Sequence, residues 1–159
     1  MNWRESIVTQ WFASVAAASA MLAVGPAHAL GREVTFEEIL AQHQHQITWV
    51  ATCGSWQADG HRGGYRVTHA SLYAQSFLYV QWMETDAQGR NTARFTLSVP
   101  ELNNDHADIS LEKLRCEATK TGATVRAEAD FGQESKQGAI EIVLSQSPGQ
   151  YRFRRLPPP

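Results

Sequence analysis

The chain has 159 residues with 14 Lys+Arg against 16 Asp+Glu, a formal charge of −2. That balance argues against nucleic acid, which needs a basic face, and against strong attraction to an anionic membrane surface. The length suits a single domain with its own core.

The first 29 residues read as a secretory leader. A short polar start carries Arg4 and Glu5, and an apolar stretch runs from Trp11 to Val24. Gly25-Pro26 then breaks any helix, and Ala27-His28-Ala29 places small residues at −3 and −1 for a signal peptidase. The apolar run is well short of the roughly 20 residues that span a bilayer, which disfavours an uncleaved anchor. Cleavage after Ala29 removes Arg4 and Glu5 and leaves 13 basic against 15 acidic side chains. The expectation is one exported bacterial domain, periplasmic or secreted, from Leu30 to Leu156, with no stable membrane insertion. Pro157-Pro158-Pro159 forms a frayed tail that joins no ladder.

After the cleavage site, Thr35 followed by Glu38 resembles a capping box. Phe36, Ile39, Leu40 and His43 fall on one stripe, which predicts an amphipathic helix from Phe36 to about Gln46. From Ile47 the period changes to two. Segments at Ile47–Gln57, Tyr65–Tyr73, Phe77–Thr85 and Thr92–Val99 read as strands. So do stretches within Ile109–Ala118, Ala123–Phe131, Ile140–Leu144 and Tyr151–Arg154, with Asp59–Gly64 and Asp86–Arg90 as turns. The run Phe77–Met83 is apolar on both faces, as in a central strand with the helix over its outer side.

The expected fold is therefore α+β and mainly β. Seven or eight strands form an antiparallel meander, as a curved sheet or a small, partly closed barrel, with one N-terminal helix. Cys53 and Cys116, alone in an oxidising compartment, are expected to form one disulfide, contributing about 4 kcal/mol in the chain-entropy model.

Chemistry is thinly marked. The common hydrolase, metalloprotease and nucleotide motifs are missing from the sequence. His43 and His45 diverge on a helix, and His61 and His69 have no evident partner, so neither a metal nor a cofactor is expected. Asp105-His106 sits in the one loop rich in ionisable groups and is a weak general-base candidate. Turn geometry is the plainer account of that loop. Arg152, Arg154 and Arg155 read as a solvated face. Trp56, beside Asp59–Gly64, is the candidate ligand-binding aromatic, and a lid over the barrel end is the alternative.

The leading expectation is a non-enzymatic envelope binding module that presents loops on a disulfide-stapled scaffold to an envelope protein, glycan or small ligand. A small periplasmic hydrolase using Asp105 and His106 is one alternative. A structural subunit that pairs through an edge strand is another.

Overall fold

A computed structural model describes residues 32–104 and 106–158. The leader expected at Met1–Ala29 lies outside the described residues, as do Leu30, Gly31, Asp105 and Pro159. Among the described residues, no helix is long and apolar enough to cross a membrane.

The chain is mainly β. Strands β1 (Ile47–Ala58), β2 (His61–Leu72), β3 (Gln75–Thr85) and β4 (Asn91–Ser98) form one antiparallel sheet. Strands β5 (Ile109–Thr119), β6 (Gly122–Phe131), β7 (Lys136–Ser145) and β8 (Tyr151–Leu156) form a second, each in simple meander order. Helix α1 spans Phe36–Gln42 and helix α2 spans Pro100–Asn103. Among the described residues the strands thus reach eight, the upper end of the expected count, and they divide into two sheets. The division falls where Pro100 stops the ladder, because proline has no N–H to donate. Val99 makes the last rung, donating to the Leu78 carbonyl at 3.1 Å. Leu78 N–H is then met by the side-chain oxygen of Asn103 at 2.8 Å, so α2 finishes the hydrogen bonding of β3 before the chain crosses over.

Alternation builds the core between the sheets. Trp56, Tyr65, Val67, Leu78, Val80 and Trp82 from the first sheet meet Ile109, Leu111, Val125, Ile140, Ile142 and Leu144 from the second. Strand β3 has a partner on each face, which explains its doubly apolar run. Phe77 and Tyr79 point outward against Phe36 and Ile39 of α1, with the Phe36 and Tyr79 ring centroids 5.3 Å apart. Helix α1 is shorter than the expected Phe36–Gln46 and gives way to a 3-10 turn at Gln44–Gln46. The Thr35 hydroxyl accepts from Glu38 N–H at 3.2 Å. The Glu38 carboxylate pairs with Arg32 instead of closing the second half of the box.

Cys53 of β1 is disulfide-bonded to Cys116 of β5, with Cα atoms 5.8 Å apart. Next to it Gly54 has φ +57°, and a Cβ there would lie 2.5 Å from the Gly122 carbonyl oxygen. The close approach of β1 to β6 therefore requires a glycine. The sheets are also joined by polar bonds. His69 bridges the Thr48 and Ser76 hydroxyls, each at 2.8 Å, and Ser76 Oγ accepts Leu111 N–H of the second sheet at 2.8 Å.

Candidate functional site

Trp56 is not an exposed aromatic. It is 1 % exposed, and its indole N–H donates to the Met83 carbonyl at 3.1 Å. The loop expected at Asp59–Gly64 is in fact a tight turn at Asp59-Gly60, with positive φ at both positions, the geometry favoured by two-residue hairpins. Gly63 and Gly64 belong to β2. A register shift between Cys53 and Trp56 sets the indole opposite Gly63 on the core face. With its ring buried, Trp56 offers no face on which to stack a ligand, which corrects the ligand-binding role expected for it.

Asp105 lies outside the described residues. Its neighbour His106 sits in a turn in which the Asn104 side-chain oxygen accepts His106 N–H at 3.0 Å. The His106 carbonyl accepts from the Gln133 amide. The first is the bond of an Asx turn and the second ties that turn to Gln133 from a distant part of the chain, and both use backbone atoms of His106.

The histidines without evident partners have them. His61 Nδ1 lies 2.8 Å from a Glu84 carboxylate oxygen, and this contact, reinforced by Arg94, holds the carboxyl of Glu84 below its usual range. His69 is buried, and desolvation lowers its pKa. Sequence reasoning missed the Ser76–His69–Thr48 chain because its members lie on three different strands. It has the atoms of a nucleophile and a base. Yet Ser76 is 2 % exposed and its oxygen is committed to Leu111 N–H, so the pair is sequestered from any substrate.

On the outer face of the second sheet, Arg126 donates twice to Glu141, at 3.0 and 2.7 Å, and Arg154 reaches the other carboxylate oxygen. Arg126 and then Arg154 hold the Glu141 carboxyl below the usual range. Arg155 pairs with Glu134 and lies 4.6 Å over the Phe131 ring. The terminal arginines other than Arg152 are thus bound into the protein's own surface. Among the described residues, no group of three or more His, Cys, Asp or Glu side chains is placed to hold a metal ion.

The feature best suited to recognition stands at the other end of the first sheet. Leu72 and Gln75 pair across a two-residue turn, and Tyr73 and Ala74 in that turn have φ of 55° and 62°. Tyr73 is 87 % exposed. Beside it opens a cleft of about 510 Å³ with Leu72 and Phe77 among its apolar walls, and His43, His106, Asp108 and Gln133 as polar ones. That volume falls in the range of small-ligand sites. Gln75 fixes the cleft wall by donating to the carbonyls of Leu102 and Asn104 and accepting from Asp108 N–H.

The fold and this site define a disulfide-linked, two-sheet β domain with an aromatic hairpin tip beside an open cleft. No protein-family model, no curated protein and no solved structure matches the chain.

Proposed function

We propose that the protein is a non-enzymatic binding module of the bacterial cell envelope, acting in the periplasm or outside the cell. In this reading it presents the Tyr73 hairpin tip and the adjoining cleft to an envelope protein, glycan or small ligand. Export is supported by the leader pattern of Met1–Ala29 and by a Cys53–Cys116 disulfide, which suits an oxidising compartment.

The observation that carries the binding reading is Tyr73. A tyrosine exposed to 87 % gains nothing from the core, and it occupies a left-handed turn where glycine or asparagine costs less. Strain retained at an exposed aromatic points to use of the ring by a partner.

The test compares wild type with Tyr73→Ala in capture from envelope extract and in binding to envelope glycans, with melts recorded for both. Capture should fall while the melt holds or rises. Undiminished capture by the variant removes Tyr73 from the reading. A hydrolytic activity abolished by Asp105→Ala or His106→Ala at unchanged stability would establish the enzyme alternative instead.

A further inference from the structure

A second site, on a part of the first sheet that α1 leaves uncovered, follows from one arginine. Every arginine among the described residues is exposed except Arg66 of β2, which is half-buried. Most of the exposed ones are paired with carboxylates: Arg32 with Glu38, Arg90 with Asp86, Arg94 with Glu84, Arg126 and Arg154 with Glu141, and Arg155 with Glu134. Arg66 has no carboxylate partner among the described residues. A partly desolvated cation without a counter-charge is costly, and structures ordinarily supply one.

The guanidinium is held in a set orientation. Thr52, Arg66, Gln81 and Thr96 stand in register across β1, β2, β3 and β4 on the outer face. Arg66 Nε donates to Gln81 Oε1 at 2.8 Å, and Gln81 Nε2 donates to Thr96 Oγ1 at 3.1 Å. Gln81 is only 4 % exposed, so the amide that aims the arginine is itself fixed. The Nη1 and Nη2 edge is left without a protein acceptor among the described residues. Arg66 lines an open groove of about 520 Å³ together with Thr52, Gly64, Met83, Thr85 and Asn91, and among the described residues no Asp or Glu lines it. Glu84, the nearest acidic residue along β3, falls on the opposite face by strand alternation and is bound to His61 and Arg94.

We propose that this groove binds a single carboxylate group on the Nη1/Nη2 edge of Arg66, at a site separate from the Tyr73 cleft. A planar guanidinium fork matches the two oxygens of a carboxylate. One arginine, with no lysine or second arginine lining the groove among the described residues, balances one negative charge, which favours a carboxylate over a phosphate dianion.

The test is side-chain NMR of the exported protein labelled with ¹⁵N-arginine, titrated with sodium acetate, sodium phosphate and sodium chloride at matched ionic strength. The Arg66 Nε–H resonance should shift saturably with acetate and about tenfold less tightly with phosphate. Arg66→Gln should abolish the effect, and Arg66→Lys should weaken it about tenfold by losing the fork. Gln81→Glu places a carboxylate within the protein's own reach of Arg66. It should raise the melting temperature and block acetate, which keeps the test decisive if an Arg66 variant folds poorly. Equal response to chloride and acetate, or acetate binding unchanged in Gln81→Glu, overturns the site. Tighter binding of phosphate than of acetate overturns the carboxylate assignment.

Discussion

The Tyr65 hydroxyl donates across the core to the carbonyl of Ser145 at 2.9 Å, joining the middle of the first sheet to the end of β7 in the second. The same carbonyl accepts the Trp82 indole N–H at 3.3 Å, and the two rings meet edge to face with centroids 5.6 Å apart. Two large aromatics thus enter the core with their polar tips satisfied at one point. Tyr65→Phe should cost only about 0.5–1.5 kcal/mol, because Trp82 still serves the Ser145 carbonyl. Burial pushes the Tyr65 pKa up to about 12. The unfolded chain releases this proton near pH 10 and the folded one later, so stability should fall as pH rises from about 10 towards 12. Urea melts across that range should show this fall weakened in Tyr65→Phe.

Trp56→Ala should destabilise the domain by about 3–5 kcal/mol, the usual cost of a large cavity, and leave the Met83 carbonyl without its indole donor. A cooperative denaturant melt measures the loss. A variant as stable as wild type would contradict the buried position of the ring.

Loss of the disulfide through Cys53→Ser should cost about 2–5 kcal/mol. The bond ties β1 to β5, and among the described residues no hydrogen-bonded ladder joins their two sheets. Reduced wild type should melt like the variant. If the melts differ, the serine itself perturbs the packing of position 53 against the core.

Local patterns in the sequence carried the strands, and three-dimensional pairing decided the site. Alternation in Ala123–Phe131 and the doubly apolar Phe77–Met83 run marked buried faces directly, since strand period and burial are one signal. Trp56 was misplaced because Gly63-Gly64 looked like turn residues. A Cβ at Gly63 would lie 1.7 Å from the Met83 carbonyl oxygen, so that glycine serves close strand packing. Tyr73 went unseen for the opposite reason. Tyr-Ala carries none of the glycine or asparagine that marks a tight hairpin, so a strained turn read as strand. The Arg66–Gln81–Thr96 row depends on register across three strands, which no short-range pattern encodes.

His69 should make the fold sensitive to mild acid. Burial lowers its pKa below the usual 6.5. As pH falls through about 6.5, the unfolded chain takes up a proton that the folded imidazole refuses, and stability drops by up to about 1.4 kcal/mol per pH unit from this group. His69→Gln should flatten that slope, at a cost in stability at pH 8 from the lost bonds to Thr48 and Ser76. Denaturant midpoints from pH 8 to pH 5 provide the check. An equal slope in both proteins would assign the acid loss elsewhere.

Replacing Tyr73-Ala74 by Asn-Gly should separate strain from recognition. Both native residues hold positive φ without being glycine, at a cost of about 1–2 kcal/mol each, whereas Asn-Gly is the preferred filling of such a turn. Little opposes the gain, because Tyr73 is 87 % exposed and its ring contributes almost no burial. The double variant should therefore be more stable than wild type by about 1–3 kcal/mol in urea melts. If the ring is a contact for a partner, the stabilised protein should also lose capture by about tenfold or more, as expected for removing an aromatic anchor. Stabilisation with undiminished capture would leave the strain as an accident of the turn and move the partner's contact to another surface. No stabilisation at all would mean that the left-handed turn costs this hairpin nothing, and the inference from strain to use would fail with it.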